Sequence, residues 1–353
     1  MARRMQKDSI FQIARDANVS IATVSRVINR RPGVSESVRR MISKMLEERN
    51  FSPNYPVPSL MNIAIALPHE AIATGISNYL SRLLCGISMQ SAESNVNPCM
   101  IFYREEEKHS LLEQMREHQA AGALLILSDL FESQLEELSS SGLPLITIDG
   151  NFGDERIGYV DNDCESGISE AIDHLKKLGH THIGYLVNQT DLHNHAERIA
   201  CYNKCMTKAG LRPLVTDFGR VASYEAIESG LLRLLKEKPE TTAMLIIGDT
   251  YAPIFLHACR NIGLSVPEDM SVIGFDNATD SPYFFPPLTT IDHPIEDESR
   301  IAIEGLALAV AQRKTDALPR IKLQTKLIVR DSTSNPRCGK LQLNNVHRTY
   351  KGK

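Results

Sequence analysis

Apolar residues recur at three- and four-residue spacing at Ile10, Ile13, Ala14 and Ala17, lapse near Asn18, and resume at Val24, Val27 and Ile28. A helix gathers such positions onto one face, so Ser9 to Asn29 predicts two short amphipathic helices joined by a tight turn. Ala14 is small enough to let the second helix cross closely, and Ser20 stands where its hydroxyl can cap that helix. A third helix follows Ser35, with Val38, Met41, Ile42, Met45 and Leu46 expected to face inward. Two short helices around such a turn form a helix-turn-helix, and the third closes a three-helix headpiece.

From residue 62 the pattern changes. The runs at 63–67, 99–103, 123–127 and 144–149 are apolar without alternation, as strands buried on both faces of a parallel sheet are. Amphipathic stretches near 79–92, 110–119 and 133–140 lie between them. A second series alternates strands at 156–160, 183–187, 243–249 and 270–276 with helices at 167–178, 198–209 and 224–236. Two such β-α-β series predict two doubly wound α/β lobes. The fold class is therefore an all-α headpiece followed by a two-lobed α/β core with parallel sheets.

Charge divides the chain at the same place. Residues 1–60 carry 11 Lys+Arg against 5 Asp+Glu, a net of +6; the whole chain is at −4, which leaves −10 for residues 61–353. A basic head on an acidic body suits contact with nucleic acid by the head alone, because phosphate neutralisation supplies most sequence-independent affinity. The cysteines at 85, 99, 164, 201, 205, 259 and 338 show no CxxC pairing. Their number and scatter fit a reducing cytoplasm, and Cys201 and Cys205, which share a helix face, are expected as small buried hydrophobes. No signal peptide or long apolar span is present, so a membrane partner is not expected. No GxGxxG, Walker A, HExxH or GxSxG motif occurs, and no histidine sits in a metal or nucleophile constellation. The expectation is a protein with no catalytic residues, no metal and no cofactor.

The run VSIATVSRVIN, followed by RRPGVSESVRRMI and NFSPN, resembles the headpiece of the LacI/GalR (lactose-repressor) family of bacterial transcription regulators, and weaker similarity continues to about Ser332. The resemblance implies a repressor-type regulator that binds double-stranded operator DNA as a homodimer and responds to a sugar-like or other small metabolite. Its core would share the fold of periplasmic sugar-binding proteins, with three crossings between lobes. The implied domains are 1–60 for the headpiece and hinge, 61–332 for the core, and 333–353 for a solvated basic tail. The first lobe would hold about 62–160 and 291–320, and the second about 161–290 and 321–332.

In a helix-turn-helix the start of the second helix meets base edges, which here presents Ile21, Ala22 and Arg26. Arg26 can fork onto guanine O6 and N7, whereas Ile21 and Ala22 offer only apolar contact. The resemblance adds Ser20, Thr23, Ser25 and Asn29 as phosphate contacts. The family's hinge helix places a leucine in the minor groove, a position taken here by Leu60. Pro56 and Pro58 stand where that helix would run, and a proline-stiffened extended linker is the other reading.

For the effector, the resemblance points to Asp276 and Arg198 as ligand contacts, and to Asp249, beside Gly248 where the family has asparagine. Tyr79 and Leu80 occupy the place of an aromatic pair, Asp161 and Asn162 lie at the interlobe crossover, and Tyr224 is a candidate aromatic wall. A sugar-binding module fits residues 62–332 by fold alone, and an effector-blind DNA binder fits the altered hinge.

Overall fold

The computed structural model describes residues 10–17, 19–20, 23–24, 27, 33–48, 60–69, 77–103, 109–126, 134–188, 190, 192–219, 223–312 and 318–339. The chain forms two compact units, Met1–Leu60 and Met61–Lys353.

In the first unit, α1 (Ile10–Asp16) and α2 (Glu36–Glu48) flank a short helical stretch that includes Thr23, Val24 and Val27. Ser20 opens that stretch as its cap. Its hydroxyl accepts the Thr23 N–H at 3.1 Å and its carbonyl accepts the Val24 N–H at 3.2 Å. Ile13, Ala14, Ala17, Val24, Val27 and Ile42 form the core. Met41, expected inside, is 41 % exposed, because Ile42 takes the inward position and the stripe continues through Met45 and Leu46. Ile21, Ala22, Ser25, Arg26 and Asn29 lie outside the described residues, as does the hinge over 49–59. Leu60 is described, exposed and non-helical, directly before the first strand.

The second unit holds two six-stranded sheets. The first runs β2-β1-β3-β4-β5-β11, from β1 (Met61–Pro68), β2 (Val96–Tyr103), β3 (Gly122–Ile126), β4 (Leu145–Ile148), β5 (Ile157–Asp163) and β11 (Arg320–Gln324). The second runs β7-β6-β8-β9-β10-β12, from β6 (Ile183–Val187), β7 (Val215–Asp217), β8 (Ala243–Ile246), β9 (Ser271–Asp276), β10 (Thr289–Asp292) and β12 (Lys326–Ile328). Among the described residues every pairing is parallel except β10 with β12. Helices cover both faces of each sheet: α3 (Asn78–Glu93), α4 (Leu111–Glu117), α5 (Leu135–Ser140) and α10 (Ile295–Gln312) on the first, α6 (Cys164–Leu178), α7 (His193–Lys208), α8 (Tyr224–Glu237) and α9 (Ala252–Asn261) on the second. None of the described helices is long and apolar enough to cross a membrane.

The chain passes between lobes after Asp163, after Asp292 and after Gln324. Residues 321–324, expected in the second lobe, pair with β5 in the first sheet, from Ile321 opposite Val160 to Gln324 opposite Asp163. The reason is a late turn: Thr325, not residue 320, is where the strand leaves one sheet for the other. Thr325 accepts the Gly167 N–H at 2.9 Å and donates to the Asp163 carbonyl at 2.7 Å, tying the first crossing to the third. A Cβ on Gly167 would fall 2.6 Å from Thr325 Oγ1 and closer still to Ile291. Gly167→Ala is expected to lose about 1–3 kcal/mol of stability in urea unfolding, since overpacking pushes the crossings apart. An unchanged midpoint would show that this junction has slack.

The start of the tail is docked on the second lobe. Arg337 donates to the carbonyls of Asp269, Pro239 (3.0 Å) and Thr241 (2.7 Å), and buried His180 reaches the Ser334 carbonyl at 2.8 Å and Thr242 at 2.8 Å. These bonds satisfy backbone groups at the sheet's lower edge, so residues 333–337 belong to the lobe. Residues 340–353 lie outside the described residues.

Candidate functional site: the interlobe cleft

Ligands of doubly wound sheets bind where strands end and helices begin. Ile148 pairs with Val160, so Asp149, just past the end of β4, stands at the level of Asp161, which β5 carries on toward its crossing. Asp276 pairs with Asp292, so the last residue of β9 and His293 emerge side by side from the second. Tyr79 joins them from the first turn of α3, whose N-cap Ser77 accepts the Leu80 N–H.

These groups form one connected cluster across the two lobes. Tyr79 donates to Asp149 Oδ2 and stacks on His293, with ring centroids 5.4 Å apart and planes at 17°. His293, fully buried, sets Nε2 2.9 Å from Glu298 Oε1 and Nδ1 3.4 Å from Asp276 Oδ1. Arg198 lies 3.5 Å from the same Asp276 oxygen, donates to the Ile247 carbonyl at 2.8 Å, and covers the Phe275 ring 3.8 Å from its centroid. Two further links span the lobes. Lys322 on β11 bonds Glu197 on α7 at 2.6 Å and stands 3.4 Å from Asp161. Arg82 on α3 holds Glu296 at 2.7 Å and donates to the carbonyls of Asp276 (2.7 Å) and Asn277 (3.2 Å).

Electrostatics here are set by burial. Removal from water, with the Glu298 charge adding to it, lifts Asp149 to about 7. Burial likewise raises Glu298, against the pull of His293. Burial opposes a charge on His293, yet Glu298 and the contacts to Asp276 and Glu298 outweigh it and hold the imidazolium up to about 10. Burial and the neighbouring Asp149 push the Tyr79 phenol well above its ordinary value. Asp149, His293 and Glu298 bring ligand atoms within 4.8 Å of one another, but a cation there would have to displace the proton that the acids hold on His293.

The backbone is strained at the same place. Asp149 (φ 64°), Asp276 (φ 100°) and Asn277 (φ 49°) adopt positive φ, which side chains with a Cβ rarely do and which clusters at ligand sites. Asn78 Oδ1, Asp149 Oδ1, Asn188 Oδ1, Arg198 Nε and Glu298 Oε2 are buried without a hydrogen-bond partner, and Asp161 Oδ2 has only the Lys322 ammonium, 3.4 Å away. Buried polar atoms are ordinarily paired, so this concentration between the lobes marks a surface built to meet a polar group from outside the chain.

Of the residues expected to contact effector, Tyr79, Asp161, Arg198 and Asp276 converge in this cluster, and Asn162, buried, follows Asp161 along β5. Three turn elsewhere. Leu80 is buried in the first lobe's core, because the residue after Tyr79 on a helix points to a different face. Asp249 has both oxygens occupied, accepting from Ala278 N (2.9 Å), Ser281 (2.6 Å) and Thr290 (2.7 Å), and thus fixes the turn after β9. A side chain at Gly274 would run into that carboxylate. Tyr224 spends its hydroxyl on Glu228 (2.7 Å) and Asn261 (2.7 Å) between α8 and α9. Asp149, His293, Glu298 and Lys322 join the site without having been anticipated. Asp149 closes the apolar run PLITID just as Asp276 closes SVIGFD, a mark that the sequence carries.

A helix-turn-helix headpiece on a two-lobed core with a charged interlobe cleft defines a class: DNA-binding transcription regulators with a periplasmic-binding-protein-like body. Residues 9–54 match the bacterial regulatory proteins of the lacI family, and residues 172–333 match the periplasmic binding protein-like domain. The chain thus carries a LacI-family helix-turn-helix domain and a periplasmic binding protein-like domain. It is 27% identical over 342 residues to catabolite control protein A of Priestia megaterium, covering 92% of this chain and 99% of that protein. It is 29% identical over 345 residues to the HTH-type transcriptional repressor PurR of Aliivibrio fischeri, covering 93% and 98%. Among solved structures, the lac repressor dimer bound to operator and the anti-inducer ONPF superposes with a TM-score of 0.65 at 22% identity, over 93% of this chain and 100% of that one. The CelR–cellobiose complex does so with a TM-score of 0.64 at 24% identity, over 92% and 99%.

Proposed function

We propose that the chain represses transcription as a cytoplasmic homodimer, one headpiece on each operator half-site, and that a small metabolite bound between the lobes sets its affinity for DNA. It acts by binding and not by catalysis. The observation that carries this reading is the set of unpartnered buried atoms between the lobes. Two of them are carboxylate oxygens, of Asp149 and Glu298, against one donor, Arg198 Nε. A partner for such a site needs groups that can both donate and accept, as hydroxyls do, which favours neutral sugars, polyols and amines over phosphorylated or carboxylated metabolites. The lac repressor and CelR structures hold a ligand in the same fold, which supports the location.

The interlobe bonds of Arg82, of Lys322 with Glu197, and of Asn78 with Thr279 at 3.2 Å belong to one arrangement of the lobes. A ligand that binds this arrangement better than another shifts the population, and with it the spacing of the headpieces.

The test has two arms. Operators selected from random duplexes should bind wild type in preference to bulk DNA, and Arg26→Ala should lower the selected affinity by about 5–150-fold while leaving non-specific affinity nearly unchanged. In a thermal-shift panel, neutral sugars, polyols and amines should include a stabilising ligand, and sugar phosphates should not. No selected operator would defeat the DNA reading. A response confined to anions, or no response across the panel, would defeat the effector reading and leave a DNA binder blind to metabolites.

A further inference from the structure

α6 opens on Cys164, the first residue beyond the β5 crossing, and α7 carries Cys201 three residues past Arg198. The two helices pack side by side on one face of the second sheet, and Cys164 and Cys201 both belong to that packing. Both thiols are free, with Sγ atoms 3.0 Å apart. That is about 1 Å longer than a disulfide bond. Cys164 is buried at 3 % exposure, whereas Cys201 is partly open to solvent. The Cys164 S–H points at Cys201 Sγ, and this bond lowers the Cys201 thiol and favours its thiolate, against burial and the charges of Glu197, Glu165 and Asp163. One sulfur can be reached by a small oxidant, and a second waits behind it.

We propose that Cys164 and Cys201 are a redox modification site, oxidised by hydrogen peroxide to a disulfide that locks α6 to α7. The Cys201 thiolate attacks one peroxide oxygen, the O–O bond breaks, and hydroxide leaves, taking up the proton from the original thiol as water. Cys164 sulfur then attacks the resulting Cys201 sulfenic acid. An S–S bond forms, the S–O bond breaks, and the departing hydroxide takes the Cys164 proton as a second water. Two thiols are oxidised by two electrons and one peroxide is reduced by two. The bridge spans 37 residues and joins the first interlobe crossing to the helix that carries Arg198. It therefore ties the redox state to the geometry of the cleft, a consequence that rests on the reading above, whereas formation of the bond does not.

The full chain is treated with a few equivalents of hydrogen peroxide, blocked with N-ethylmaleimide, and digested without reductant for peptide mass spectrometry. The expected product is a linked Cys164–Cys201 peptide pair that dithiothreitol abolishes, with exposed Cys85 and Cys338 alkylated. The melting midpoint of the oxidised chain should rise by about 5 °C or more and return on reduction. Cys164→Ser should leave a Cys201 sulfenic acid that dimedone captures, and Cys201→Ser should leave Cys164 unoxidised. Full alkylation of Cys201 after peroxide, or a bridge from Cys201 to Cys205, would overturn the assignment; both are read on wild type and do not depend on either variant folding.

Discussion

Replacing Arg198 with Ala should lower unfolding stability by about 3–5 kcal/mol in urea, among the largest losses available to a single side chain outside the hydrophobic cores. Arg198 is 6 % exposed and makes three separate contacts, with Asp276, with the Ile247 carbonyl and with the face of Phe275. Burial works against its charge, but Asp276 and the surrounding acids more than offset that and keep the guanidinium ionised. Truncation leaves the Asp276 carboxylate, 9 % exposed, facing His293 alone and opens a cavity beneath Phe275. Arg198→Lys should recover little, because an ammonium cannot reach Asp276 and the Ile247 carbonyl at once. The double variant Arg198→Met with Asp276→Asn should lose less than Arg198→Ala, since it removes both members of the buried pair. Equal or greater loss in the double variant, or a loss below about 1 kcal/mol in Arg198→Ala, would show that the pair does not hold the cleft in the way its geometry implies.

The same residues show how much the sequence disclosed. Periodicity placed the headpiece helices and most strands correctly because each of those elements writes its own burial pattern; Ile13, Ala14, Val24 and Ile42 meet in one core as their spacing requires. Short or edge strands left no such mark. β7 is three residues long with an exposed first valine, and the β11 segment RIKLQ is mostly exposed, so neither reads as a buried run. That omission propagated into function. With β11 unrecognised, Lys322 had no reason to be placed in the cleft. TTID is too short and too polar to read as a strand of the second lobe, so nothing in the sequence marks His293 as the residue that leaves it. Glu298 lies on a helix and is buried only because α10 packs on α3, where Ser299 sits against Gly86. Asp249 misled for the opposite reason: an acid at a strand end is also what a turn needs, and only the positions of Ser281 and Thr290, distant in sequence, show that the turn takes it.

Stability should fall as pH rises from about 5 to 10, and His293 should account for the upper part of that fall. Its imidazole titrates near 6.5 when unfolded and at about 10 in the folded cluster. The folded state therefore holds a proton that the unfolded chain has released. The stabilisation is fully present below 6.5 and is lost as pH climbs through 10, on the order of 3–5 kcal/mol in all. Asp149 and Asp249, each raised from 3.8 to about 7, lean the same way at lower pH: their folded forms keep protons that unfolded carboxyls lose, so stability declines between those values. Urea midpoints at pH 6, 8 and 9.5 should step downward. Glu298→Gln, which takes away the charge that most favours the imidazolium, should flatten the decline between pH 8 and 9.5 and shrink that below pH 7 only in part, because Glu298 helps to raise Asp149 whereas Asp249 is held by groups that do not touch Glu298. A midpoint that rises from pH 6 to 9.5 would mean that His293 is neutral in the folded cleft, and the surplus of acids over bases between the lobes would then be larger still.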